Sequence, residues 1–323
     1  DAGVTPGAVV GHSMGEIAAA YLAGALTLED AAKIICRRSW LMRQLSGSGA
    51  MASVELPASE MARWLEPFAG RVSIAAENSP GTTVIAGESE AIEQLMEWLE
   101  LKEVFCRQIK VDVASHSLLV DPILSVLTDE LADIRPQAGN LPFFSTVNGA
   151  VTPGMDLNAH YWVCNLRQPV RLAAATAELA RDGYSCFIEL SPHPILVPSL
   201  EDTLNSLRPG AETNATIALP SLLRGKPAWS ALLRSFGRHW IHGGKLNWST
   251  VSGHSSRYDA VLVTHRLHLP EYAFERERFW AQDEESIESA KADAYRLSPL
   301  LMRRIDPADD AGVSIFAVIA DIA

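Results

Sequence analysis

Residues 7–24, GAVVGHSMGEIAAAYLAG, decide how the chain is read. Ala8 to Val10 has the apolar, β-branched character of a buried strand end, and Ile17 to Leu22 continues as a helix that Gly24 stops. Between them G-H-S-M-G, residues 11–15, sets Ser13 on a sharp turn from strand to helix. The flanking glycines let the backbone make that turn and hold the side chain up at the helix N-terminus. There the Met14 amide and the helix dipole can stabilise an oxyanion forming on a carbonyl that Ser13 attacks. A serine that only caps the helix fits the same five residues, so the pentapeptide by itself leaves both readings open.

The next segment, TLEDAAKIICRRSWLMRQL, predicts a helix that Thr27 N-caps, with Glu29 and Asp30 in its first turn where the dipole favours acids. Its apolar stripe runs Leu28, Ala31, Ile35, Met42 and Leu45, and the position completing that spacing is Arg38, which therefore points inward. A guanidinium stays charged and is costly to bury unpaired, so Arg38 needs a carboxylate. Either an Asp or Glu of the protein supplies it, or a substrate does, held bidentately. From 51 to 113 short elements alternate: strand MASVEL, helix SEMARWLEPF, a hairpin of RVSIAAENS and TTVIAGE around SPG, helix SEAIEQLMEWLE and strand CRQIKVDV. That βαββαβ order is the order of a ferredoxin-like unit. A helix over 117–135, strands LPFFSTV and SCFIEL, and a crossover helix AAATAELARDG then resume an α/β pattern. An amphipathic helix around WSALLRSFGRHW follows, then the aromatic, charged stretch LPEYAFERERFW.

The expected fold class is α/β: a hydrolase-like large subdomain with a parallel sheet and the serine elbow, plus an inserted ferredoxin-like (βαββαβ) small subdomain. The divisions expected are 1–50 for the first part of the large subdomain, 51–115 for the small one and 116–225 for the large one continued. Residues 226–280 then form a C-terminal helix and linker, and 281–323 a tail or the start of a next region. At 323 residues the chain can bury a substantial core. A formal net charge of −12 argues against a nucleic-acid surface and leaves no polybasic membrane patch. The four cysteines, Cys36, Cys106, Cys164 and Cys186, lack metal spacing or a disulfide pattern, so no metal site is expected and a reducing, cytoplasmic setting is. No apolar run approaches the roughly 20 residues that span a bilayer. With Ser13 so close to the first residue and an apolar end at VSIFAVIADIA, the chain reads as a piece of a longer polypeptide.

A serine hydroxyl needs a base, and there are nine histidines. His239, His242, His254, His265 and His268 fall in the helix and linker, and His160 in a polar loop. His116 lies where the predicted strand QIKVDVAS enters a loop, the position that favours a catalytic role. His193, in SPHP, is its competitor, although a rigid proline-flanked turn explains that residue more economically.

Taken together, GHSMGEIAAAYLAGALTLEDAAK, RRSWLM, AENSPGTTVIAGE, VDVASHS, FFSTVNG, YWVCNLRQPVRL, FIELSPHPIL and LPEYAFERERFW, in this order, closely resemble the acyltransferase domain of modular type I polyketide synthases. That family is related to the malonyl-CoA:acyl-carrier-protein transacylases of fatty-acid synthesis, and the resemblance covers most of residues 1 to 280. It implies Ser13 as the nucleophile that takes an acyl group from coenzyme A, His116 as its general base and acid, and Arg38 as the binder of a malonyl-type carboxylate. It implies that the backbone carbonyl of Asn165 orients the histidine in place of a triad aspartate, and that Met14 contributes an oxyanion-hole amide. His12, Val113 and Ser115 are implied as substrate-binding positions. The family's upstream GQG glutamine, which completes the oxyanion hole, would lie before residue 1.

The implied reaction is ping-pong transfer from acyl-CoA to the phosphopantetheine thiol of an acyl carrier protein, with no bound metal or redox cofactor. The implied neighbours are a ketosynthase and other synthase domains of one polypeptide, with LPEYAFERERFW packing back toward the ketosynthase. Family members that load malonyl groups read HAFH at the histidine, and methylmalonyl users YASH. Residues 113–116 read VASH, so Ser115 tilts the reading toward methylmalonyl. Val113 departs from the tyrosine of that pattern, and Met14 from the glutamine often found there. Two other functions compete: a non-catalytic acyltransferase-like module of a megasynthase, and an α/β-hydrolase esterase, whose triad acid and histidine would lie later in the chain and which has no use for Arg38.

Overall fold

A computed structural model describes residues 2–47, 49–111, 113–207, 216–252, 303–305 and 315–317. Its contacts divide the chain into two units, Asp1–Asp259 and Ala260–Ala323. LPEYAFERERFW, His254, His265, His268 and nearly all of 281–323 lie outside the described residues. The second unit contributes one antiparallel pair, Arg303–Ile305 with Ile315–Ala317.

The first unit opens with β1 (Val9–Val10), α1 (Gly15–Leu22) and α2 (Leu28–Met42). As its sequence requires, α2 is capped by Thr27, whose hydroxyl accepts from the Asp30 amide at 3.0 Å. Its buried face is Ala31, Ile34, Arg38 and Leu41. The expected stripe is thus rotated: Leu28, in the first turn, is 58% exposed, and Ile35 is half-buried while Ile34 goes inside. Arg38 holds its inward place because it is common to both spacings.

The small sheet consists of β2 (Ala50–Val54), β3 (Val72–Ser79), β4 (Thr82–Gly87) and β5 (Cys106–Ile109), interleaved in the chain with α3 (Ala58–Trp64) and α4 (Ser89–Glu100). Its spatial order is β3-β4-β2-β5, with every neighbouring pair antiparallel. The pleat of β4 serves two cores: Ile85 packs with Met61, Ile92 and Leu95 under α3 and α4, while Val84 and Ala86 join a core on the other face. The strand expected to run to Val113 ends at Ile109, because its partner β2 begins at Ala50 and the ladder runs out at Met51 opposite Ile109. The chain then turns tightly, the Val111 amide donating to Ile109 and the Ser115 amide to Val113.

Next come α5 (Asp121–Glu130), β6 (Phe143–Ser145), β7 (Ala150–Val151), α6 (Ala159–Arg167), α7 (Leu172–Arg181), β8 (Cys186–Glu189), α8 (Val197–Ser206), β9 (Ile217–Pro220), α9 (Ala228–Ile241) and α10 (Trp248–Ser252). Parallel pairing is present in two short ladders, β1 with β6 and β8 with β9, which no strand joins into one sheet among the described residues. They meet through side chains instead: the Tyr184 hydroxyl donates to the Gly7 carbonyl at 3.2 Å, and its ring stands edge-on to Phe144. His160, expected in a loop, lies on α6, which Asn158 caps by accepting from the Tyr161 amide. Helix α9 packs on β9, the Ser235 hydroxyl donating to the Pro220 carbonyl at 2.5 Å.

Candidate active site

Because β1 and β6 run parallel, the loops leaving their C-terminal ends emerge side by side, the usual place for a site in such sheets. Ser13 sits on the first of these loops, in the left-handed backbone region at φ 53°. That conformation is costly for a residue with a side chain, by about 1–3 kcal/mol, and is sustained here by tight surroundings. A Cβ on Gly11 would lie 2.2 Å from the Glu16 amide nitrogen, so the turn closes only over a glycine. The other glycine of the motif is different: a Cβ on Gly15 would meet nothing within 4 Å.

The structure brings His116 to Ser13 across 103 residues of sequence. The Ser13 hydroxyl donates to His116 Nε2 at 2.8 Å. His116 is also held at positive φ, 61°, with its amide bonded to the Leu166 carbonyl at 3.0 Å. Its Nδ1 donates to the Gln168 carbonyl at 2.8 Å. This corrects the carbonyl expected from Asn165: the orienting carbonyl belongs to Gln168, three residues further on. The reason lies at the end of α6, where the carbonyls of the last turn have no intrahelical partner and the first residue past the helix turns outward. A carbonyl opposite Nδ1 fixes the tautomer with Nε2 as acceptor. It also separates this site from a hydrolase triad, which needs a carboxylate there. Burial, and after it the nearby Arg38 charge, lowers the His116 pKa to about 3, so the ring is a neutral base at neutral pH.

Arg38, 2% exposed, donates from Nη2 to Ser13 Oγ at 3.1 Å and from Nη1 to Asn165 Oδ1 at 2.6 Å. Its Nε is buried with no partner among the described residues. No carboxylate among the described residues bonds to it directly, so the protein counterion foreseen as one alternative is displaced by one residue: Asn165 Nδ2 donates to Glu16 Oε2 at 2.6 Å. Burial pulls the guanidinium down to about 10, with Glu16 opposing, and it remains charged at neutral pH.

His12 Nε2 is bonded to Asn78 Oδ1 on β3 at 2.8 Å, and the ring lies near enough to His116 to contribute to the lowering of its pKa. Burial lowers its pKa. Val113 and Ser115 are half-buried on the loop that delivers His116, and Ala114 between them is fully buried. The Met14 amide makes no backbone hydrogen bond among the described residues, and its side chain is exposed. His193 stays apart, its Nδ1 accepting a long 3.5 Å bond from the Arg224 amide. Glu16, Thr146, Tyr161 and the Gln168 carbonyl were not foreseen. For Glu16 a signal existed, the S-x-x-E spacing from Ser13, but it predicts a capping carboxylate turned back on the chain, not one turned into the core. Among the described residues no group of three or more His, Cys, Asp and Glu is arranged to hold a metal ion, and no helix is long and apolar enough to cross a membrane.

A serine and a neutral histidine on a strand-turn-helix elbow, with a buried guanidinium against the serine oxygen, have the chemistry that serine acyl transfer requires, on a mixed α/β fold. The chain belongs to the acyl transferase domain family, whose model matches residues 1–243. It is 38% identical over 320 residues to the polyketide synthase GfsB of Streptomyces halstedii, covering 97% of this chain and 5% of that protein. The acyltransferase domain from module 8 of the salinomycin polyketide synthase matches it with a TM-score of 0.74 and 38% identity, over 77% of this chain and 58% of that one. FabD from Acinetobacter baumannii, 23% identical with a TM-score of 0.64 over 74% of each chain, shares the fold.

Proposed function

We propose that the chain loads a carboxylated extender unit from coenzyme A onto the phosphopantetheine of an acyl carrier protein, as a domain of a polyketide synthase with a ketosynthase among its neighbours. Ser13 Oγ attacks the thioester carbonyl as His116 Nε2 takes its proton, and the proton then leaves with the coenzyme A thiol. The pantetheine thiol next attacks the acyl-serine ester, giving its proton to His116, which returns one to Ser13. The Met14 amide at the start of α1 faces the oxyanion in both halves. The observation that carries this reading is the partnerless Nε of Arg38 beside a guanidinium nitrogen 3.1 Å from Ser13 Oγ. A free acid on the substrate supplies the acceptor that the protein leaves out. Coenzyme A thioester and carrier phosphopantetheine enter as substrates, and the scheme calls on no resident cofactor.

The reading extends to methylmalonyl in preference to malonyl, because Ser115 leaves room that a phenylalanine at that position would fill. A methyl group is worth only about 1–3 kcal/mol in such a pocket. We also read 51–115 as a ferredoxin-like subdomain inserted in the larger one, which supports β3, and so Asn78, against the elbow. The test is intact-protein mass spectrometry after brief exposure to malonyl-CoA, methylmalonyl-CoA or acetyl-CoA. The expected result is a diacid adduct on the wild type, heaviest with methylmalonyl-CoA, and none on Ser13→Ala. A folded protein that takes no diacid adduct would instead be a non-catalytic module.

A further inference from the structure

We infer that Glu16 is a positioning residue for Arg38, acting through the Asn165 side-chain amide, so that selection of a diacid belongs to the chain Glu16–Asn165–Arg38 and not to Arg38 alone. The inference rests on the acyltransfer reading above and deepens it. Glu16 is wholly buried, 0% exposed, three residues after the nucleophile. Its Oε1 accepts from the Thr146 amide and from the Thr146 hydroxyl at 2.8 Å, and its Oε2 from the Tyr161 hydroxyl at 2.7 Å and Asn165 Nδ2 at 2.6 Å. Four bonds fill the acceptor sites of a carboxylate.

The polarity of this network is forced. A guanidinium only donates, so Asn165 must turn its oxygen to Arg38, and its NH₂ then needs an acceptor on the far side. Glu16 is that acceptor. The Thr146 backbone N–H, which also only donates, occupies the other oxygen. Each oxygen of residue 16 therefore faces an N–H that cannot reverse. A glutamine, with one oxygen and one NH₂, must either strand the Thr146 amide or push Asn165 over, and a turned Asn165 presents NH₂ to Arg38. The carboxylate also offsets the desolvation of the guanidinium, since Glu16 is the charge that opposes burial at Arg38. A buried residue that only filled space would need neither property.

The test uses the full-length protein and equimolar malonyl-CoA and acetyl-CoA in competition, reading the ratio of malonyl to acetyl adduct on Ser13 by mass spectrometry. Both acyl groups use the same serine and histidine, so a general loss of reactivity cancels in the ratio. Glu16→Gln is expected to lower the ratio about 10- to 100-fold, the range of a hydrogen bond to a charged group. Combining Glu16→Gln with Asn165→Asp restores a matched sequence of donors and acceptors. The NH₂ placed at position 16 then donates to the carboxylate placed at position 165, whose other oxygen accepts from Arg38. The double variant is expected to recover at least half of the loss on a logarithmic scale. Should Glu16→Gln not fold, Asn165→Asp, which sets two carboxylates face to face, serves as the broken member of the same cycle. A ratio unchanged in the broken variant, or no recovery in the double variant, overturns the inference. A wild type that shows no Ser13 adduct, or no preference for malonyl, refutes the acyltransfer reading instead.

Discussion

Replacing Arg38 by methionine separates what the guanidinium does for the fold from what it does for the substrate. Burial pulls its pKa from the ordinary arginine value to about 10, which corresponds to roughly 3 kcal/mol by which the folded state disfavours the charge. Methionine, unbranched but two atoms shorter, fills the space of the arginine's stem and removes that cost. Against the gain, Asn165 Oδ1 loses its 2.6 Å donor, a loss of about 1–3 kcal/mol for a buried acceptor, and Glu16 loses the cation nearby. The two sides are close, so Arg38→Met is expected to stay within about 2 kcal/mol of wild type by urea unfolding. Substrate choice has no such compensation. A charge-assisted, bidentate bond from Arg38 to a substrate carboxylate would be worth about 3 kcal/mol, or roughly 100-fold in loading rate. Malonyl-CoA loading should fall by that factor, while acetyl-CoA loading rises relative to it. A variant that keeps its preference for the diacid would refute the assignment of Arg38 as the carboxylate's receptor. A variant destabilised by more than about 4 kcal/mol would show that the guanidinium is first of all the counterion of Glu16.

The two glycines of the elbow should behave oppositely: Gly11→Ala, with its Cβ 2.2 Å from the Glu16 nitrogen, is expected to lose about 3 kcal/mol or more, whereas Gly15→Ala, in open space at the start of α1, should change stability by less than about 1 kcal/mol, both read by thermal melting. His116 makes stability depend on pH: its folded pKa of about 3 lies below the unfolded 6.5, so its contribution is complete above pH 6.5 and is lost as pH falls toward 3. Wild type measured against His116→Gln in urea should therefore lose up to about 1.4 kcal/mol per pH unit in that window and show a flat difference between about pH 7 and 8. Glu189 caps α8 from a distance, accepting from the amides of Ile195 and Leu196 at 3.0 Å and of Val197 at 2.9 Å. Glu189→Gln should cost about 2 kcal/mol through a stranded N–H and a weakened helix-dipole interaction, and a change below about 0.5 kcal/mol in a melting experiment would show that these bonds carry little.

What was legible in the sequence follows from how far apart the interacting residues are. Ser13 and Arg38 could be found from their own neighbourhoods, one from glycines two residues away and the other from a helical stripe, and the error of one position in that stripe did not matter at Arg38. His116 had only a place at a strand end, and the strand stops at Ile109; its recognition rested on the family resemblance. Asn165 was expected to act through its backbone carbonyl, but its side chain bonds to Arg38 and Glu16 while Gln168 supplies the carbonyl to His116. Glu16 was missed because its partners stand 130, 145 and 149 residues along the chain. Spacing reports which face of an element a residue occupies, but the direction of a hydrogen bond is set by the partner, and here every partner is remote. The decisive constraint is that Arg38 can only donate. Once that donor is placed, the orientation of Asn165 and the need for an acceptor at position 16 follow from it.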